Sequence, residues 1–206
     1  MEIRKELWRI VWAGLVVVII GSGCKPDPAN PTKEKYNPVI TNILNRKSVR
    51  QYTERPVEEE KVELLLRAGM ASPSARDLRP WEFIVIKNRP TLDSLAAALP
   101  FGKMLAQAPL AIVVCGDTVR SERLWVEDCA MVAQNILLAA ESLNLGAVFT
   151  AVYPYPDRLK AVNKYTRLPA HIVPLTIIPV GYPQGKQTPK DKFDAKKIHY
   201  ETYSHR

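Results

Sequence analysis

Arg46, Lys47, Ser48 and Arg50 put four potential anion ligands within five consecutive residues. Arginine offers a planar fork of donors, lysine a point charge and serine a hydroxyl, a mixture suited to holding a phosphate. The run follows a short apolar segment and precedes Pro56, so it is expected where a helix gives way to a loop. A basic, solvated helix end has the same composition, and the run alone does not separate the two. Few other residues suggest chemistry of their own. His171, His199 and His205 are widely spaced, and Cys-x-x-Cys and His-Glu-x-x-His are both missing, which argues against a metal site. Cys115 and Cys129 lie in apolar stretches and are expected as buried free thiols. Glu58, Glu59 and Glu60 suit the positive end of a helix dipole better than a catalytic role. Gly181 to Lys186 is one residue short of a phosphate-binding loop and is interrupted by Pro183.

The elements that must position these residues follow from periodicity and capping. Pro38–Asn45 reads as a helix with Asn37 as its cap, and Glu58–Met70 as a second helix. Ser72-Pro73-Ser74 then opens a loop, and Trp81–Ile86 is a strand. Asn88-Arg89-Pro90 is read as a turn before a short helix, Thr91–Leu99. Leu110–Cys115 is apolar on both faces and is expected as a central strand. Glu122–Leu145 is the longest helical pattern, with Gly146 as its stop. Its wide apolar stripe calls for burial on more than one side, in the core or at a subunit interface. Ala147–Val152 reads as a strand, Asp157–Tyr165 as a helix, and Ile172–Gly181 as a strand with Pro174 and Pro179 near its ends. After Tyr182 the chain is basic and proline-containing, and must lie on the domain or wrap a neighbour. The fold class is α+β, a small mixed or antiparallel sheet with helices packed around it.

The 206 residues suit one domain, and 47% apolar with 24% charged residues is ordinary for a soluble globular protein. A net charge of +8 would suit nucleic acid, an anionic membrane surface or a phosphate-bearing cofactor. Zinc-finger spacing, an RRM signature and aromatic–basic interleaving are all missing, so nucleic acid is not expected as a partner. Residues 1–24 have a charged start, an apolar run from Ile10 to Ile20, and then Gly21-Ser22-Gly23-Cys24. That order reads as a lipoprotein-type signal with Cys24 as the lipidated residue, or as a plain N-terminal anchor. Either gives a membrane-anchored protein of the bacterial cell envelope, with the side of the membrane left open. Residues 25–35 hold Pro26, Pro28 and Pro31 and read as a tether, so the folded domain is expected over 36–206.

Three separated segments resemble one family, the FMN-dependent nitroreductases. Arg46-Lys47-Ser48-Val49-Arg50 is similar to its Arg-x-Ser-x-Arg/Lys run. Pro73-Ser74-Ala75-Arg76-Asp77-Leu78-Arg79-Pro80-Trp81 is similar to its Pro-Ser-x-x-Asn-x-Gln-Pro-Trp loop and strand. Gly181-Tyr182-Pro183, with Lys190-Asp191-Lys192 and His199-Tyr200, is similar to its C-terminal arm. The resemblance implies an interlocked homodimer with FMN bound between subunits. It places Arg46, Lys47 and Ser48 at the phosphate end, with Lys190 and Lys192 reaching it from the arm, and Arg50 beside the flavin ring. Pro73, Ser74, Ala75 and Asp77 would come from the other subunit, and Phe149, Thr150 and Ala151 would pass the ring face.

Three residues depart from the family pattern. Asp77 stands for the usual Asn, Arg79 for Gln and Lys192 for Arg, and an Arg79–Asp77 pair would compensate for the first two. The implied activity is ping-pong hydride transfer from NAD(P)H through FMN to a nitroaromatic, a quinone or a similar small-molecule acceptor. No side-chain acid or base is then required, because the cofactor carries the chemistry. Three alternatives stay open: an envelope-tethered flavin carrier without NAD(P)H turnover, a dehalogenating or flavin-cleaving relative, and a tethered domain that has lost FMN through the departures at Asp77 and Lys192.

Overall fold

The structure is a computed structural model, and it describes residues 36–203. Cys24, the signal or anchor segment and the proline-rich tether lie outside the described residues. Among the described residues five α-helices and five strands follow in the order α1 (Pro38–Asn45), α2 (Glu59–Met70), β1 (Trp81–Ile86), α3 (Arg89–Ala98), β2 (Leu110–Asp117), α4 (Trp125–Ser142), β3 (Gly146–Ala147), β4 (Thr150–Ala151), α5 (Pro156–Thr166) and β5 (Ile172–Gly181). The sheet runs β1-β2-β5-β3, with β4 also on β5, and all the strand pairs are antiparallel.

The period-two alternation of β2 builds the layers. Leu110, Ile112 and Val114 join Leu65 of α2 and Val132 and Ile136 of α4 in one apolar cluster. Ala111, Val113 and Cys115 face the other way, into Leu92 and Leu95 of α3 and Val162 of α5. The sheet is therefore covered on both faces, as the uniformly apolar β2 requires. Cys115 and Cys129 end up in different layers and are free thiols, both pushed up to about 12 by burial.

α1, β1 and β5 have the bounds read from the sequence, and α1 carries its expected cap, with Asn37 Oδ1 accepting from the Ile40 amide at 3.0 Å. α2 and α5 agree to within one residue at each end, and four elements differ by more, each for a local reason. α3 starts at Arg89 because Asn88 caps it, accepting from the Thr91 amide at 3.0 Å, so Pro90 sits in a first turn and not in a loop. β2 continues past Cys115 to Asp117, paired with β1 and β5. α4 spans Trp125–Ser142, shorter at both ends than Glu122–Leu145. Asp117 folds the chain before it by accepting from the Val119 and Arg120 amides, and Asn144 (φ 58°) makes the left-handed turn after it. The strand expected over Ala147–Val152 is two short pieces, β3 and β4. Pro174 is accommodated next to a bulge, where the register of β2 with β5 shifts between Val114 and Cys115.

Gly146 is thus not the helix stop but a contact point. A Cβ there would stand 2.5 Å from Val49 Cγ1, so only glycine lets the extended segment after α1 lie against β3. Gly146→Ala should destabilise the domain by about 1–3 kcal/mol through this overlap. Unfolding in urea measures it, and a wild-type midpoint would contradict the contact. Among the described residues no helix is long and apolar enough to cross a membrane.

Candidate functional site

α1 ends at Arg46, where the backbone turns extended (φ −57°, ψ 130°), so the anion-ligand run leaves the helix as a strand-like segment. Val49 points in and is buried, and Ser48 and Arg50 are exposed. The segment docks through the Val49 amide, which donates to the Ala147 carbonyl at 3.1 Å, and a bridge between Ser48 and Ala147. That bridge brings the run to the edge strands: Phe149 is two residues along from Ala147 and exposed, and Thr150 is buried with its hydroxyl unpartnered. Thr176 Oγ1 donates to the Thr150 carbonyl at 2.9 Å, and Arg158 Nη1 to that of Ala151 at 3.0 Å.

Lys47 goes elsewhere. Its ammonium donates to both carboxylate oxygens of Glu141 on α4, at 2.8 and 3.0 Å, in a partly buried pair. Arg46 and Arg50 have no carboxylate partner among the described residues. Two guanidinium groups and a hydroxyl in a short extended segment, none neutralised by an acid, fit a phosphate-bearing ligand.

The second part of the predicted site is the loop between α2 and β1. Ser74 Oγ accepts from the Arg79 amide at 2.9 Å, and the Ala75 amide donates to Asp128 Oδ1 of α4 at 2.9 Å. Arg76, Asp77 and Arg79 all take positive φ, at 53°, 55° and 48°. Non-glycine residues there cost on the order of 1 kcal/mol or more each, and such strain clusters at functional sites. The Arg79–Asp77 pair forms a two-toothed fork, with Nε to Oδ1 at 2.7 Å and Nη2 to Oδ2 at 2.6 Å. That guanidinium holds the Asp77 carboxyl below its ordinary range, and the exposure of both side chains screens the effect.

α4 measures how far apart the two parts are. Its Asp128 holds the loop and its Glu141 holds Lys47. About thirteen residues at 1.5 Å each separate those anchors by roughly 20 Å. The sheet order agrees, with the loop leading into β1 at one edge and the cationic run beside β3 at the other. One chain brings Arg46, Ser48 and Arg50 together with Phe149, Thr150 and Ala151. It does not bring them to Pro73, Ser74, Ala75 and Asp77.

The arm leaves the domain from a clamp at Tyr182. Its hydroxyl donates to Glu58 Oε2 at 2.6 Å and accepts from Lys61 Nζ at 2.7 Å, and the Arg55 guanidinium stacks 3.9 Å over its ring. Beyond it Lys190 and Lys192 are exposed, as are Phe193 (76%), Tyr200 (78%) and Tyr203 (74%). The Tyr182 hydroxyl, a backbone hydrogen bond and Arg55 bring the Glu58 carboxyl from its ordinary 4.5 down to about 2. A lowered carboxylate stabilises the fold above its unfolded value and loses that contribution as pH falls toward the folded one. Wild type should therefore melt above Glu58→Gln at neutral pH, and the two should converge as pH falls from about 4.5 to 2. A gap that stays constant across that window would rule the clamp out.

Two residues with clear roles here are not among those the sequence singled out. Asp128 stands at helical spacing from the buried Trp125 and Val132, a carboxylate on an apolar face, which was the available signal. Arg158, packed 3.8 Å from the Tyr155 ring centroid, carried none. A cleft of about 820 Å³ lined by Tyr52, Glu54, Lys87, Arg89 and Gln184 contains none of the predicted residues. Its Lys87 is paired with Glu59, and its Arg89 with Asp93 and the Leu105 and Ala108 carbonyls, so it holds no spare cation.

Comparison with known proteins agrees with this architecture. The sequence pattern described as the nitroreductase family matches residues 43–100 and 95–182. The chain is 44% identical over 167 residues to a Methanothermobacter thermautotrophicus protein provisionally named NADH dehydrogenase/NAD(P)H nitroreductase, covering 80% of this chain and 87% of that one. A Bacteroides thetaiotaomicron crystal structure of the same provisional name superposes with a TM-score of 0.80 at 59% identity, covering 82% of this chain and 99% of that one. A Desulfovibrio desulfuricans structure, described as a nitroreductase in complex with FMN, superposes at 0.71 with 28% identity, covering 82% and 99%. This chain belongs to the nitroreductase family.

Proposed function

We propose that this chain is an NAD(P)H-dependent FMN oxidoreductase working as a homodimer. The observation that carries the reading is the divided site: unneutralised Arg46 and Arg50 at one end of α4, and the strained 73–79 loop at the other. Two copies in opposite orientation would set the loop of one against the cationic run of the other, so that each of two cofactor sites draws on both chains.

Arg46 and Ser48 would bind the FMN phosphate, with Lys190 and Lys192 of the arm adding charge. Lys47 is left out because Glu141 occupies it. Arg50 would hold a fixed positive charge beside the ring and stabilise the negative charge that reduction creates. Phe149, Thr150 and Ala151 would wall one side of the ring, and Pro73, Ser74, Ala75 and Asp77 of the second copy would close the site. Bound FMN would supply the two-electron chemistry, from NAD(P)H to a nitroaromatic, quinone or similar acceptor in a ping-pong cycle. The names of the relatives, which include NAD(P)H and FMN, support the donor and the cofactor. Exposed Val39, Ile43 and Leu44 on α1, a helix with no buried residue, support a partner copy. Membrane tethering through residues 1–24 remains part of the reading.

The test is the visible spectrum of the purified full-length chain, with NADPH then added without oxygen. Flavin absorbance that bleaches on addition is expected. A protein that refuses added FMN ends the reading, and flavin that stays oxidised with both NADH and NADPH removes the donor.

A further inference from the structure

Asp128 is 2% exposed, sits in the first turn of α4, and uses one carboxylate oxygen to accept from the Ala75 amide at 2.9 Å. Its second oxygen, Oδ2, is buried without a partner. An unpaired carboxylate oxygen is an expensive thing to bury, and the packing of α4 alone does not require one. Two helical turns on, Asn135 Nδ2 donates to the Ala68 carbonyl at 3.1 Å and to Ser72 Oγ at 2.8 Å. One face of α4 thus grips the same joint twice, at the end of α2 and at the first turn of the loop.

The loop has little else to hold it. Between Pro73 and Leu78 the other hydrogen bonds close within the loop, from the Asp77 amide to the Ser74 carbonyl, the Leu78 amide to the Ala75 carbonyl, the Arg79 amide to Ser74 Oγ and the Arg79 guanidinium to Asp77, and at its end Arg120 Nη1 reaches the Arg79 carbonyl at 3.4 Å. Arg76, Asp77 and Arg79 are nonetheless all held at positive φ, a conformation such residues leave unless surrounding contacts impose it.

We infer that Asp128 is the positioning residue for the flavin-contacting loop: its buried carboxylate, at the positive end of α4, fixes the Ala75 amide and with it the strained 73–79 conformation before any cofactor arrives. The inference rests on the FMN reading above. A charged acceptor makes a stronger hydrogen bond than a neutral one, and the helix N-terminus compensates part of the burial. A pre-set loop binds without first being ordered, which is where affinity is gained.

The experiment measures hydrogen exchange of the 75–78 amides and FMN affinity by flavin fluorescence on the full-length chain. In Asp128→Ala the loop amides should exchange on the order of tenfold faster, and FMN should bind on the order of tenfold more weakly. Asp128→Asn keeps an oxygen acceptor and should restore both to within about threefold, a rescue that loss of packing would not show. Ala75→Pro removes the donor and leaves α4 untouched, so it should reproduce the faster exchange of Asp77 and Leu78 even if Asp128→Ala does not fold. Wild-type exchange rates in Asp128→Ala or in Ala75→Pro overturn the inference. So does FMN binding that stays at the wild-type level while the loop loosens. A wild-type chain that takes up no FMN overturns the reading beneath it, whereas loss of FMN confined to the variants supports both.

Discussion

Replacing Arg46 and Ser48 together by alanine is expected to leave a folded protein that purifies without FMN, with affinity reduced about 100-fold or more. Both hydrogen bonds run to a charged phosphate, and each contributes roughly 1.5–3 kcal/mol. Losing both therefore comes to about 3 kcal/mol or more, which is about 100-fold or more in dissociation constant. The fold should survive because Arg46 closes α1 through its backbone amide, which donates to the Asn42 carbonyl at 3.1 Å, and Ser48 is exposed. Lys47→Met is the informative control. Lys47 is bound to Glu141, so this change should lower stability and spare the flavin. Flavin-to-protein ratio and equilibrium affinity read both. Full flavin retention in the double variant, or flavin loss in Lys47→Met with stability unchanged, would reverse the assignment.

Truncation after Tyr182 is expected to convert the dimer largely to monomer and to empty the flavin site in the same step. Phe193, Tyr200 and Tyr203 are each about three-quarters exposed on a single chain. Burying one such ring removes on the order of 150–250 Å² from water, or about 4 kcal/mol gross, before the arm is ordered. Three rings are more than enough to decide a dimerisation equilibrium, even after ordering costs of several kcal/mol. The clamp that Glu58, Lys61 and Arg55 make on Tyr182 stays in the truncated chain, so the domain should still fold, melting lower because the dimer, the flavin and the hydrogen bond from the Gln184 amide to the Gln51 carbonyl are lost. Sedimentation and absorbance at the flavin maximum, on the same sample, test the prediction. A truncated protein that is still a yellow dimer would mean the arm does not wrap a neighbour.

Most elements were readable because their signals are local. Asn37 and Pro38 mark the start of α1 by capping chemistry, and Trp81–Ile86 and Ile172–Gly181 are short, mostly apolar runs, the second buried along nearly its whole length. The ends of α4 were misread because Gly146 looks like a C-terminal stop, whereas Asn144 makes that turn and Gly146 answers to Val49, nearly a hundred residues earlier. Lys47 could not be separated from its neighbours, since its partner Glu141 is about as distant in the chain. Asp128 is not legible as a loop anchor because the Ala75 amide it holds lies 53 residues away, and a carboxylate on an apolar stripe does not name its partner.

From the sequence by itself came the fold class and the cationic run at the end of α1, because caps, periods and short motifs are properties of neighbouring residues, whereas the expectation of a site shared by two chains came only from the resemblance to the nitroreductases. The tertiary structure decided which of four anion ligands remain free, and that the loop and the cationic run stand about 20 Å apart along one helix. Both depend on which side chains a helix of 18 residues carries at its two ends, and spacing along the chain does not encode that.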